Sequence, residues 1–228
     1  MQSAGQDLNY PILIRFAKTG LMRFIGHLDW QALQQAMFLR AGLRIAVGEG
    51  PTKRLRMKTS PPTPVAVASL TELTYLMLGE PLYPDEAQRR LSKQCPDGIE
   101  IVKVLDAGRL ARKNPFAAIA AAGYSVDFGS GLSESKRDEI VSELKRIKGD
   151  EPPDGFDPDG IGKFWGRILE IETGNGETRL LVKQLEGETF HGAKCAEYLE
   201  AKLGLPHYPI FTKLDYYRLK PSKRRLFT

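Results

Sequence analysis

Ile12-Leu13-Ile14-Arg15-Phe16-Ala17-Lys18 and Leu28-Asp29-Trp30-Gln31-Ala32-Leu33-Gln34-Gln35-Ala36-Met37-Phe38-Leu39-Arg40-Ala41 together decide the fold class. In the first stretch Ile12, Ile14 and Phe16 recur at every second position, the period of a strand with one buried face. In the second, Trp30, Leu33, Met37 and Ala41 recur at three-and-four spacing, the period of one helix face. Gly42 stops that helix, and Leu43–Val47 reads as a second strand. Further along, Glu72–Leu78 alternates Leu73, Tyr75 and Met77 as a half-buried strand would. Pro84 opens a second helix, because proline is tolerated in a first turn, and Ala87, Leu91 and Cys95 form its inward stripe. Ile99–Leu105 closes the set as another strand, giving the order β-α-β-β-α-β.

The second half repeats that order. Ala117–Phe128 gives a strand, and Ser133 offers an N-cap to a helix carrying Ile140, Val141, Leu144 and Ile147 on one face. Residues 149–162, rich in Gly, Pro and Asp, read as a loop. Phe164–Glu172 and Thr178–Leu185 flank Thr173-Gly174-Asn175-Gly176, whose Asn-Gly pair signals a hairpin. A helix with Ala196, Leu199 and Leu203 ends at Gly204, and Tyr208–Leu219 is the last strand. Two runs of β-α-β-β-α-β predict an α+β chain of two tandem ferredoxin-like domains, residues 1–110 and 115–219, followed by a basic tail, 220–228. The stretch 106–115 is the expected linker.

Composition narrows the function classes. Apolar residues at 42% and charged residues at 27% describe a folding chain and not a disordered one. No stretch approaches the roughly 18 apolar residues of a membrane span. Met1–Tyr10 has neither the basic flank nor the apolar core of a signal peptide, so the expected compartment is the cytoplasm. The formal net charge of +5 is unevenly spread. Residues 1–114 hold 16 Lys/Arg against 10 Asp/Glu, residues 115–210 hold 11 against 17, and the last 18 hold six against one. Positive charge in the first half and the tail could attract a polyanion or serve only as a solubilising surface. Several chemistries lack their motifs. There is no Cys-x3-Cys-x2-Cys run for an iron–sulfur cluster, no Gly-rich Lys-Ser/Thr phosphate loop, and no Gly-x-Ser-x-Gly elbow. His191 and Cys195 lie four apart, but two ligands do not make a metal site, and neither a metal nor a cofactor is expected.

The segment Arg15-Phe16-Ala17-Lys18-Thr19-Gly20-Leu21-Met22-Arg23-Phe24-Ile25-Gly26-His27-Leu28-Asp29 resembles the signature of the radical SAM-linked protein family, a domain of unknown function encoded beside or fused to radical SAM proteins. Arg23-Phe24 and His27-Leu28-Asp29 carry the resemblance, which is clear over residues 11–48 and extends to 110. Gly26 stands where that family has serine. Gly48-Glu49-Gly50-Pro51-Thr52-Lys53-Arg54-Leu55-Arg56 replaces its Phe-Asn-Pro-His-Pro element. The resemblance implies a radical SAM protein as partner and names no activity.

Two features could carry function. His27 either packs locally at a helix start, with Gly26 as N-cap and Asp29 favouring the positive helix end, or acts as a neutral base kept available by the helix dipole. Lys53-Arg54-Leu55-Arg56-Met57-Lys58 would, if extended, set Arg54, Arg56 and Lys58 on one face and Leu55 and Met57 on the other, a loop able to follow a phosphate backbone. Arg23 and the tail cations Lys220, Lys223, Arg224 and Arg225 join that RNA-binding set. The resulting expectation is a non-catalytic accessory protein that recognises RNA or ribonucleoprotein beside a radical SAM enzyme. A metal-independent endoribonuclease using His27 with Lys18 or Arg23, and a docking scaffold that touches no nucleic acid, remain open.

Overall fold

A computed structural model of the chain describes residues 10–49, 51–108, 110, 114–148, 165–174, 177–185 and 190–218, and the backbone of 224–226. The chain is a mixed α/β protein, with four α-helices among the described residues. It divides into two compact units, residues 1–62 with 71–116, and residues 63–70 with 117–228.

The first unit contains β1 (Tyr10–Lys18), α1 (His27–Arg40), β2 (Met57–Thr59), β3 (Ala68–Leu78, from Thr71 in this unit), α2 (Pro84–Ser92) and β4 (Ile99–Asp106). Its strand order is β4-β1-β3-β2, with β1 antiparallel to β4 and β2 antiparallel to β3. Ile12, Ile14 and Phe16 share one core with Trp30, Met37 and Phe38 of α1 and Ala87 and Leu91 of α2, so both helices cover the same sheet face. Phe16 and Trp30 meet edge to face with ring centroids 5.2 Å apart. The end of α1 is closed twice: Leu43 N–H donates to Phe38 C=O and Gly42 N–H to Leu39 C=O, with Gly42 at φ +68. That reversal needs a left-handed residue, which is why glycine stops this helix.

The expected strand Leu43–Val47 forms only two isolated bridges, Ile45 to Leu78 and Val47 to Leu55. The reason lies in the hydrogen bonds opposite Met77. Ala46 N–H donates to Met77 C=O, Met77 N–H donates to Arg56 C=O, and Arg56 N–H donates to Ala46 C=O. Ala46 and Arg56 therefore oppose the same β3 residue, and the chain between them is extruded as a hairpin arm held by Gly48 N–H to Arg54 C=O at 2.8 Å. The edge strand resumes as β2, whose Met57 pairs with Leu76.

The second unit contains β5 (Ala121–Asp127), α3 (Glu134–Ile147), β6 (Ile168–Gly174), β7 (Glu177–Lys183), α4 (Gly192–Leu203), β8 (Ile210–Arg218) and β9 (Arg224–Leu226). Its strand order is β8-β5-β7-β6, and Ala68 and Ser69 pair in parallel with Thr212 and Lys213 of β8. Ser133 caps α3 by accepting the Lys136 N–H at 3.2 Å, and Gly204 closes α4 at φ +57. Ile140, Leu144 and Ile147 of α3 and Cys195, Ala196 and Leu199 of α4 are buried. β6 and β7 pair antiparallel with Gly174 opposite Glu177; Asn175 and Gly176, and the loop at 149–162, lie outside the described residues. The tail adds an element that sequence periodicity missed, because a three-residue strand has no period: Arg224–Leu226 pairs with Tyr216–Arg218.

Candidate nucleic-acid interface

The arm presents its charges unevenly. Lys53, Arg54 and Lys58 are exposed, while Arg56 is half-buried and lies 4.0 Å from Glu49. Among the described residues Lys53 and Arg54 make no ion pair. The expected split of faces holds only in part. Met57 packs against the core, but Leu55 is exposed, because Met57 N–H donates back to Leu55 C=O and that tight turn breaks the alternation. Lys220 and Lys223 lie outside the described residues. For Arg224 and Arg225 only the backbone is described, paired with Arg218 and Tyr217.

Between β1 and α1 the chain makes a 3-10 turn, Gly20–Phe24, which Gly20 enters at φ +54. This turn is held at its start by Thr19 N–H donating to Gly98 C=O at 2.8 Å. It leaves large apolar groups in water: Leu21 is 85% exposed, Phe24 49%, and Leu28 in the first turn of α1 78%. The guanidinium of Arg23 lies over the Phe24 ring, 4.8 Å from its centroid. Its Nε is shielded and makes no hydrogen bond. Among the described residues the Arg23 side chain has no hydrogen bond or ion pair, and the Phe24 ring is the aromatic face it lies against.

His27 is the first residue of α1, with Gly26 as N-cap and Asp29 in the first turn. Residues 27, 31 and 34 follow one helix face, and that face is polar. Gln31 Nε2 donates to His27 Nε2 at 3.1 Å and lies 3.4 Å from Thr59 Oγ1 in β2. Gln34, fully buried, accepts from Thr74 Oγ1 at 3.1 Å, while its Nε2 has no partner. Thr59 and Thr74 face each other across the β2–β3 ladder. Burial lowers the His27 pKa; Glu72 opposes the shift and Lys18 adds to it. Lys18 and Glu72 are themselves only 2% and 3% exposed. In the tautomer in which Nε2 accepts from this amide, the His27 imidazole is neutral and carries its proton on Nδ1.

Of the sequence-derived candidates, the structure brings Arg23 onto Phe24 and sets His27 in the field of Lys18 and Glu72. The Gln31–Thr59 contact ties the His27 helix to the strand at the base of the arm. Gln31, Gln34, Thr59, Glu72 and Thr74 escaped the sequence reading. The available signal was parity: Lys18 continues the inward set Ile12, Ile14, Phe16, and Glu72 and Thr74 share the parity of buried Leu76 and Leu78. Both cysteines are free thiols. Cys195 is fully buried, which pushes its thiol pKa up, and its N–H donates to the His191 carbonyl. No cluster of three potential metal ligands occurs among the described residues. No described helix is long and apolar enough to cross a membrane.

No curated protein matches the chain. A solved structure described as an unknown protein from Galdieria sulphuraria is similar over 96% of this chain and 99% of its own, at 9% identity and a TM-score of 0.27, too remote a likeness to argue from. A family model does match: it covers residues 12–152, more than half of the sequence, and the chain therefore belongs to the family described as an uncharacterized protein conserved in bacteria, DUF2344.

Proposed function

We propose that this chain is a cytoplasmic accessory protein that recognises RNA or ribonucleoprotein and leaves the chemistry to a radical SAM enzyme. The radical SAM partner rests on the resemblance carried by Arg23-Phe24 and His27-Leu28-Asp29. We read each unit as a ferredoxin-like domain. The β-α-β-β-α-β order and the strand orders β4-β1-β3-β2 and β8-β5-β7-β6 support that reading.

The observation that carries RNA recognition is the arm, whose exposed Lys53 and Arg54 have no ionic partner among the described residues. Unpaired cations on a projecting hairpin are available to phosphate, and each contact releases condensed counterion. Arg56 is already engaged by Glu49 and contributes less. Fluorescence anisotropy with short RNAs across a salt series tests this. Lys53→Gln with Arg54→Gln flattens the log–log salt slope by about 1.4, at ~0.7 per single-strand phosphate contact. The loss is equal for unrelated sequences, since phosphate contacts carry no base information. An unchanged slope removes the arm from the interface and favours the docking scaffold.

One observation favours a second reading. Neutral His27 beside buried Lys18 and Glu72 is the kind of group that serves acid–base chemistry, so RNA cleavage by His27 is the rival. A cyclic phosphate product that disappears in His27→Ala, with folding intact, replaces the accessory reading.

A further inference from the structure

We infer that the Arg23–Phe24 turn is a stacking platform for one unpaired nucleobase, which makes single-stranded RNA, not duplex, the preferred ligand. This rests on the RNA reading above and deepens it. Three observations converge. Phe24 keeps about half of its surface open although its own neighbour lies on the ring, so a ring face or edge remains to receive a planar partner. The Arg23 guanidinium carbon lies 4.8 Å from the ring centroid, and its side chain makes no hydrogen bond or ion pair among the described residues, so an unpaired planar cation sits beside the ring. Leu21 and Leu28 flank the turn at high exposure, supplying apolar contact for the edge of a base or ribose.

An exposed aromatic paired with arginine is suited to unstacked bases, because every base has a π-face and the cation complements the strand's charge. A duplex keeps its bases stacked on one another and offers none to the ring. A protein ligand would be served by the aliphatic residues, but it would leave the unpaired Arg23 without a role, whereas a polyanion answers both. Gly98 anchors the turn through its carbonyl, and at φ +83 it occupies backbone that other residues rarely adopt, so the platform is fixed to the start of β4 and does not drift.

The test is anisotropy with labelled short oligouridine, competed with unlabelled single-stranded and duplex RNA, on the full chain. Phe24→Ala lowers single-strand affinity by roughly 5- to 140-fold, the equivalent of ~1–3 kcal/mol per stacked base at about 1.4 kcal/mol per decade. The salt slope does not change, because stacking releases no counterion. Phe24→Trp retains or raises affinity, and it keeps the test sharp should the alanine variant be less stable. Arg23→Lys preserves charge but loses the flat guanidinium, and weakens binding several-fold. RNA binding with normal salt dependence that Phe24→Ala leaves untouched overturns the platform and assigns the turn to protein docking. Equal affinity for duplex and single strand overturns it as well. No RNA affinity in the wild type overturns the RNA reading itself, and the platform with it.

Discussion

Gln34 gives the sharpest physical test of the first unit. It is fully buried in α1, its Oε1 accepts from Thr74 Oγ1 at 3.1 Å, and its Nε2 has no partner. A buried donor left unsatisfied costs ~1–3 kcal/mol, and so does an orphaned acceptor. Thr74→Val keeps shape but strips the amide of its one bond, so it destabilises by ~1–3 kcal/mol. Gln34→Met removes the orphaned amide donor and orphans the Thr74 hydroxyl instead; the two terms offset, and the variant stays within about 1 kcal/mol of wild type. The double variant removes both polar groups and is more stable than wild type by ~1–3 kcal/mol, or about 2–12 °C in Tm for a chain of this size. The cycle therefore has a large coupling energy. Urea unfolding followed by tryptophan fluorescence reads it. The chain has two tryptophans, Trp30 and Trp165, so a Trp165→Phe background leaves Trp30, one helical turn before Gln34, as the reporter. A neutral Thr74→Val, or a double variant no more stable than wild type, would refute the claim that this amide is a net cost to folding.

Two further outcomes follow from the same geometry. Burial holds the His27 pKa below 6.5, so below neutrality the folded chain binds fewer protons than the unfolded one. Stability therefore falls as pH drops through the ordinary histidine range toward the folded value. His27→Gln removes that part of the slope in unfolding measured across pH, and identical slopes would contradict it. Gly98→Ala forces a side chain onto φ +83 and sets its Cβ 2.7 Å from the Thr19 carbonyl, which costs ~2–4 kcal/mol in urea unfolding. Gly79→Ala, whose nearest atom is 3.8 Å away, is the near-neutral control.

Apolar periodicity made the helices and central strands legible in the sequence, because each buries one face. α1 was located from Trp30, Leu33 and Met37, and α3 from its Ser133 cap. What periodicity could not report was polar burial. Lys18 and Glu72 occupy inward strand positions that an alternation rule fills with apolar groups, and Gln34 interrupts the apolar stripe of α1 without exposing it. Lys18 and Glu72 are the two charged groups that act on His27 alongside burial, and Gln34 carries the unpartnered amide beneath α1. The split edge strand was hidden for a different reason: its two pieces meet opposite one distant residue, Met77, and bond to each other at the base of the arm, a pairing with no local signature. Phe24 belongs to the Arg23-Phe24 motif, but only burial separates an exposed ring from a core one.

The arm leaves and rejoins the sheet opposite a single residue, Met77, and its base is closed by its own hydrogen bonds. Its length is thus decoupled from the register of β2 on β3. Doubling such a loop costs only ~0.6 kcal/mol of closure entropy. Relatives of this chain can accordingly lengthen, shorten or replace the arm while the layers beneath stay in place. For the experimenter the same decoupling marks residues 49–53 as the place to graft a reporter peptide or an affinity handle, and it predicts that a graft there alters reach toward a ligand before it alters the melting temperature.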